Sequence, residues 1–575
     1  MNPVIKSQKF LRLHRVFIFH KSDSSAIIVL HLMAGADNLV RAILFDTRSI
    51  QRYIFSGNRL KTNIGASYLV AHVFDDYLIP VLKNAFGDSQ IDVDSWKQGN
   101  PLAGLSDNIL CSVAYIGGGN ALILFREDIE HQQCVSLVED FTCELLVKCP
   151  GLRVGVAHGK LDIDSVENFQ SDLSELYRQL KKNQNTVSPV VTVPYTGLTL
   201  NCRVNGKTAN YFDLNGKVQP EAGYEQSFYS QETASKAFAA TKANEHLRSL
   251  YPEVCKSYDF PMQFEDLGQV EGENYIAIIH IDGNNMGKKF CTCKTLQERS
   301  KLSRNIQFKV ERCFGRLLNT IVDEYDSYKK FLKLGLTEQY KNILPIRPLI
   351  LGGDDVTFIC PAKLAVIYTK RFMEFMIDTE TVDGIEDERA KYIDCCAGIG
   401  IFKTSYPFFR GYELAEQVCD FAKQKMRSMA EQNVGTSWLD FIILHGEQAL
   451  TLKQIRDQEY SAARGNMHFG PYQVGNTGAT GNQECRYNIE NLLECVSQFQ
   501  NGTMAKNKIK EMRLILQHSK HDAQRFLTQL EKQGQHLPHI DAWIIYEKTE
   551  SALWHNNKTP YIDAIEMIDF IPEVQ

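Results

Sequence analysis

The chain has 575 residues, 44% hydrophobic and 23% charged, an ordinary composition for a globular protein with material for several domains. A formal net charge of -6 argues against a protein whose main task is coating nucleic acid, although a local basic groove fits inside that average. The 15 cysteines show neither CxxC nor disulfide-like spacing and read as reduced thiols, and no apolar run reaches transmembrane length, so a cytoplasmic protein with no membrane partner is expected.

Residues 1–38 carry basic residues and irregular apolar patches without periodicity; they are left unassigned, with Met33 as an alternative start. From Leu39 the pattern sharpens. A strand over Leu39 to Phe45 ends in Asp46, and Arg48, Arg52, Arg59 and Lys61 follow it. A helix after Asn63 carries Ile64, Tyr68, Ala71, Phe74 and Leu78 on one spacing. Strands over 108–116 and 121–125 flank Gly117-Gly118-Gly119-Asn120; a helix near 128–147 and a strand from Leu152 close a first unit over 39–160. Residues 161–268 read as a small insert with helices near 166–183 and 225–250 and a β-like stretch at 189–199. The insert holds only Cys202 and Cys255, too few thiols for a zinc site of its own.

A second unit, 269–446, repeats the order of the first. Its strand Tyr275 to Ile281 ends in Asp282-Gly283-Asn284-Asn285, and a long helical stretch over 295–327 leads to Leu349-Ile350-Leu351-Gly352-Gly353-Asp354-Asp355-Val356-Thr357-Phe358-Ile359, a hairpin with two carboxylates at its tip. Asp282 lies 236 positions after Asp46 and Gly352 lies 235 after Gly117, the signature of a duplicated α/β unit. An isolated Gly-Gly-Asp-Asp is also an ordinary acidic turn. A third carboxylate, Asp282, at the end of a neighbouring strand changes that reading, because three repelling acids are easiest to hold together around divalent cations that clamp a triphosphate. Where the second unit has Asp354 and Asp355 the first has Gly119 and Asn120, so the first is degenerate; Asp46, Gly117 and Gly118 mark where its backbone amides and nearby arginines would meet a second nucleotide. Lys423, on a helix over 411–429, is either a triphosphate contact or a surface ion-pairing residue. Residues 447–575 read as an exposed linker around Phe469-Gly470-Pro471-Tyr472 followed by a helical domain, whose His521-Asp522 pair lacks metal-ligand neighbours.

Ser49-Ile50-Gln51-Arg52-Tyr53-Ile54-Phe55, Ile64-Gly65-Ala66-Ser67, Asp282-Gly283-Asn284-Asn285-Met286-Gly287 and the Gly352-Gly353-Asp354-Asp355 hairpin, in this order, resemble the large polymerase or cyclase subunit of type III CRISPR effector complexes over nearly the whole chain. The resemblance implies an α/β (α+β) architecture: two ferredoxin-like palm domains, an insert and a C-terminal helical domain. It also implies two ATP molecules bound across the palms and joined by 3′-hydroxyl attack on an α-phosphate into cyclic oligoadenylates. Asp282, Asp354 and Asp355 would take the metal and catalytic roles with Mg²⁺ or Mn²⁺; Gly352 and Gly353 would let the hairpin approach the nucleotide, and Gly283, Asn284 and Asn285 would sit near phosphate or metal. Effector subunits and guide and target RNA are the implied partners. Three features depart from the family pattern: there is no N-terminal nuclease domain, so no DNA cleavage is expected; the insert lacks paired zinc-binding cysteines; and Asn284 stands where an acid is common. Two other readings remain, a cyclic dinucleotide synthase of diguanylate-cyclase type, which normally dimerises to complete its site, and a silent nucleotide-binding scaffold.

Overall fold

A computed structural model describes residues 39–573 apart from 102–104, 106–107, 164, 187–198, 219–226, 268–273, 333–341, 380–383, 430–436, 447–449 and 476–485. The unassigned residues 1–38 and nearly all of the β-like stretch 189–199 lie outside the described residues.

The first unit is built on β1 (Leu39–Arg48), α1 (Leu60–Ala71), the hairpin β2 (Cys111–Gly117) and β3 (Asn120–Phe125), α2 (His131–Lys148) and β4 (Arg153–Asp162). Its sheet runs β2-β3-β1-β4, with a short strand, Ile91–Asp92, outside β2. Ala42 to Phe45 on β1 and Ala121 to Phe125 on β3 are all buried, as continuous apolar runs in a sheet covered on both faces must be. The helix α3 (Val166–Thr186), read from sequence as the start of the insert, packs on β4. The helix α4 (Gln231–Leu250) packs along α1.

The second unit follows the same plan: β5 (Tyr275–Gly283), α5 (Leu296–Asp323), the hairpin β6 (Arg347–Gly352) and β7 (Asp355–Pro361), α6 (Ala365–Ile377), β8 (Cys395–Lys403), α7 (Phe408–Met429) and β9 (Trp438–Ile443). Its order is β9-β8-β5-β7-β6, with Tyr472–Gln473 outside β9. Taking the four shared strands of each unit in chain order, both sheets read 4-1-3-2, the ferredoxin-like arrangement that the repeat predicts. The halves meet reciprocally. Helix α1 of the first unit touches strand β6 of the second, and α5 of the second touches β2 of the first, so each unit braces the other's hairpin.

These contacts explain the small-residue motif Gly65-Ala66-Ser67. A Cβ at Gly65 would lie 1.7 Å from the Lys236 carbonyl oxygen on α4, so only glycine lets the two helices cross this closely. Two residues further along the motif, the Ser67 hydroxyl donates to the Leu349 carbonyl on β6, tying the first unit to the strand that feeds the acidic turn.

The C-terminal region is helical, with α8 (Ile489–Gln500), α9 (Lys506–Ile515), α10 (Lys520–Lys532) and α11 (Tyr561–Met567). Among the described residues no helix is long and apolar enough to cross a membrane. The expected exposed linker is corrected here: Met467 to Val474 are buried. Asp563 on α11 accepts from the backbone N–H groups of Phe469 and Gly470, both at 3.0 Å, and from the Tyr472 hydroxyl at 2.8 Å. His468 bridges Asp563 and Asp440 of β9, and Arg456 donates to Asp440 at 2.6 Å. Burial pulls the His468 pKa down, but the two carboxylates outweigh it and hold it above the usual range. The turn-forming composition of this stretch is real; its polar groups find partners inside the protein where the sequence suggested water.

The crossing at Gly65 is testable. Gly65→Ala should destabilise the fold by about 1–3 kcal/mol, or prevent folding, through overpacking against backbone. The control Gly287→Ala, whose Cβ meets nothing within 4 Å, should leave the urea midpoint equivalent to within about 0.5 kcal/mol of wild type.

Candidate active site

The acidic turn is positioned by strand register. Asp355 pairs across the ladder with Gly352 of β6 on one side and with Asp282 of β5 on the other, which brings two carboxylates to the same end of adjacent central strands. Gly353 turns the chain with φ of 60°, in the left-handed region that glycine enters without penalty. Gly283 is the close-approach position: its N–H donates to the Asp354 carbonyl at 3.1 Å, and a Cβ there would lie 2.8 Å from the Asp354 Cβ. Asn284 is buried with its N–H on the Asp394 carbonyl at 2.7 Å, and Asn285, with φ of 59°, starts the short helix Met286–Cys291.

Lys423 on α7 donates to Asp282. Of the two readings offered by its sequence, ion pairing is what the structure shows, with the side chain partly buried against the acidic cluster and not on the outer surface. Burial lowers the Lys423 pKa, and the hydrogen bond and charge of Asp282 more than reverse this. Asp354 and Asp355 are also raised, which for an acid favours the neutral form. Burial first, then the Asp282 charge, pushes Asp354 up to about 6; burial, then Asp282 and Asp354, pushes Asp355 up to about 8. The Asp355 side chain keeps 38% of its surface open to solvent, and its Oδ1 has no hydrogen-bond partner.

Asp46 stands at the corresponding end of the first sheet, opposite Asn120, and the Gln184 side-chain amide of α3 donates to it while Arg48 donates to the Gln184 carbonyl. Gln184 thus does in the first unit, as a neutral donor to one acid, what Lys423 does in the second as a cation. Asp46 is not brought to the Asp282 cluster. Gly117 and Gly118 are: they line a cleft of about 250 Å³ that also takes in Gly353 and Asp354, so the two hairpin tips face one another across it. Residues that sequence reading passed over complete this cleft, notably Tyr115, Tyr177, Phe290 and Arg299. The Arg299 guanidinium lies 5.0 Å from the Phe290 ring and 5.7 Å from the Tyr177 ring, and no carboxylate pairs with it among the ion pairs of the described residues.

A second, larger cleft of about 790 Å³ is lined by Arg48, Arg52, Phe55, Arg153 and Lys207 and by Tyr412 and Glu416 of α7. The two clefts share a construction. Each combines the segment that follows the first strand of one unit with the last helix of the other: Met286 and Phe290 with α3 in the smaller, Arg48 to Ser56 with α7 in the larger. Lys61 and Arg59 line neither of these two.

The donor set fits a hard divalent cation: carboxylate oxygens at strand ends, the Asp355 Oδ1 without a hydrogen-bond partner, where burial first and neighbouring negative charge second raise the pKa values of Asp354 and Asp355. Among the described residues no three His, Cys, Asp or Glu side chains converge closely enough to hold an ion unaided. Further oxygens, such as a nucleotide's phosphates supply, would be needed to complete its shell.

Two units of this topology, one with an acidic turn in register with a third acid and one without, define a double palm fold. Residues 275–430 match the family model of the Cas10/Cmr2 second palm domain. Among solved structures, a Csm1–Csm4 cassette crystallised with pppApApA is 12% identical with a TM-score of 0.49, over 93% of this chain and 70% of that one. A cassette with cA4 is 12% identical with a TM-score of 0.45, over 92% and 69%, and Csm1 from T. onnurineus is 12% identical with a TM-score of 0.45, over 93% and 69%. No curated protein matches the sequence.

The raised acids set a pH dependence. Because the folded Asp355 pKa, about 8, exceeds the value of about 4 for an unfolded aspartate, its contribution to stability is present below pH 4 and is lost as pH rises through about 8. Asp355→Asn should therefore raise the thermal midpoint of the metal-free protein by a margin that grows over that window. Mn²⁺ affinity of the wild type should rise over the upper part of the same window as the proton is displaced. A pH-independent difference between wild type and Asp355→Asn would contradict the repulsion.

Proposed function

We propose that the protein is an ATP-dependent cyclic oligoadenylate synthase, acting in antiviral signalling as the cyclase subunit of a type III CRISPR RNA-guided complex or as a stand-alone relative. The observation that carries this reading is the pair of similarly built clefts flanking one acidic turn, within a chain whose second unit is a Cas10/Cmr2 palm.

In this reading one nucleotide lies in each cleft. The 3′-oxygen of one attacks the α-phosphorus of the other; the new O3′–P bond forms as the bond to the β-phosphate bridging oxygen breaks, pyrophosphate leaves and the hydroxyl proton is lost. Phosphoryl transfer of this kind is mostly positioning and charge neutralisation. Arg48, Arg52 and Arg153 supply positive charge to a triphosphate in the larger cleft, where Lys207 is paired with Glu232, and Arg299, which pairs with no carboxylate among the described residues, is available to phosphate in the smaller. Lys423 pairs with Asp282 and holds it in place. Mg²⁺ or Mn²⁺ bound by Asp282 and Asp355, with Asp354 alongside, would supply Lewis-acid charge at the phosphates. Both half-sites lie within one chain, which favours this function over a cyclic dinucleotide synthase that must dimerise.

Purified protein incubated with each labelled nucleoside triphosphate and Mg²⁺ or Mn²⁺, with products resolved by mass, tests the proposal. Wild type, alone or with its co-purifying partners and target RNA, should yield cyclic oligoadenylates, and Asp354→Ala with Asp355→Ala should reduce the rate by about 10²-fold or more. ATP binding without product under both conditions would favour the scaffold reading.

A further inference from the structure

Against the Asp355 carboxylate of the acidic turn lies a buried polar contact chain that the synthase reading does not use. His280 is on β5, two residues before Asp282, and is 4% exposed. Its Nδ1 faces three oxygens at nearly equal, long distances: Thr357 Oγ1 at 3.3 Å, Asp355 Oδ1 at 3.4 Å and the Tyr412 hydroxyl at 3.5 Å. A ring nitrogen carries either one proton or one lone pair, so it satisfies one of these oxygens well at a time. With the proton on Nδ1 the ring can donate to Asp355; without it, Nδ1 accepts from Tyr412 or Thr357 and turns a lone pair toward the carboxylate. The Asp355 Oδ1 has no hydrogen-bond partner at these distances, so the placement of this ring governs how firmly that oxygen is held.

Tyr412 is in turn fixed from the other unit. The Phe55 ring, at the end of the first-unit motif Ile50-Gln51-Arg52-Tyr53-Ile54-Phe55, stacks on it with centroids 4.0 Å apart and planes 26° from parallel. Phe55 and Tyr412 are each 2% exposed, yet both border the larger cleft. A continuous set of contacts therefore runs from the first unit, which has no acidic turn of its own, to a carboxylate of the second.

We propose that Phe55, Tyr412 and His280 form a positioning relay through which the first unit orients the Asp355 carboxylate for divalent-cation binding. The proposal rests on the synthase reading of the acidic site. It gives the degenerate unit a part in the chemistry beyond that of a wall, and it explains why an aromatic ring is placed at Phe55: a stack transmits a sideways displacement of the phenol that a flexible aliphatic contact would absorb. None of the three residues is a catalytic residue in this scheme; each acts through Asp355. Groups that orient a metal ligand from behind commonly change metal affinity by about 10–100-fold when removed.

The test is Mn²⁺ binding by calorimetry on the full chain saturated with a non-hydrolysable ATP analogue, together with the Mn²⁺ dependence of product formation under whichever condition supports it. His280→Leu should weaken Mn²⁺ binding by about 10-fold, while His280→Asn, which can place an amide donor near the Nδ1 position, should recover most of it. Tyr412→Phe keeps the ring and its packing but removes the hydroxyl, and Phe55→Leu removes the stack while touching no carboxylate; both should weaken Mn²⁺ binding several-fold. Phe55→Leu added to His280→Leu should cost nothing more, because the relay is already cut. Turnover in the relay variants should return toward wild type at saturating Mn²⁺. If Tyr412→Phe and Phe55→Leu bind Mn²⁺ as wild type does, the relay is wrong even though the protein is a synthase. Equal affinities for His280→Leu and wild type would overturn it as well. If wild type, with or without an ATP analogue, binds no divalent cation at all, both the relay and the synthase reading fall.

Discussion

Three carboxylates at the ends of neighbouring strands repel one another, and much of the surrounding architecture can be understood as holding them there. Strand register fixes Asp282 opposite Asp355, and the Gly353 turn places Asp354 next to Gly283, where a side chain would not fit. Lys423 offsets one charge. Burial of Asp354 and Asp355, and after it the negative charge that is left unrelieved, appears as their raised pKa values. An arrangement that costs stability in the free protein is sustained because the sheet over-determines the backbone beneath it: Ile276 to Ile281 on β5 and Val356 to Cys360 on β7 are almost wholly buried, and their ladder leaves the acids no room to separate.

The two units have diverged around the same plan. Asp46 and Gln184 preserve the geometry of Asp282 and Lys423 with a neutral donor in place of a cation, and the first-unit turn carries Gly119 and Asn120 where the second has acids. What the first unit retains is contact. Ser67 binds the strand leading to the acidic turn, Gly117 and Gly118 face that turn across the smaller cleft, and Phe55 stacks on a helix of the second unit. Loss of the acids and retention of these contacts are what a duplicated unit would show after its role had shifted from chemistry to support.

Local pattern made the strands, the hairpin and the repeat legible in the sequence. Short apolar, β-branched and aromatic runs flanking Gly352-Gly353 specify a hairpin without reference to the rest of the chain, and nearly equal offsets between Asp46 and Asp282 and between Gly117 and Gly352 reveal the duplication. The partners brought in from elsewhere were not legible. An amphipathic helix such as α3 has the same spacing whether it belongs to an insert or lies on β4, and nothing near Arg299 announces the rings of Tyr177 and Phe290 around it. Glycine and proline around Phe469 signal a turn correctly but say nothing of Asp563, almost a hundred positions away, which buries that turn. His280 was hidden for a related reason: in an apolar strand a histidine is visible, but its three oxygen neighbours come from β7 and α7 and exist only in the folded sheet.

The central claim is that one chain holds two nucleotides, one in each of the clefts between its halves. Calorimetric titration of the purified chain with a non-hydrolysable ATP analogue in the presence of Mn²⁺ measures this directly. The account predicts two molecules bound per chain, with one of them weakened when Arg52→Glu reverses the charge in the larger cleft. A single nucleotide per chain, unaffected by that substitution, would contradict it.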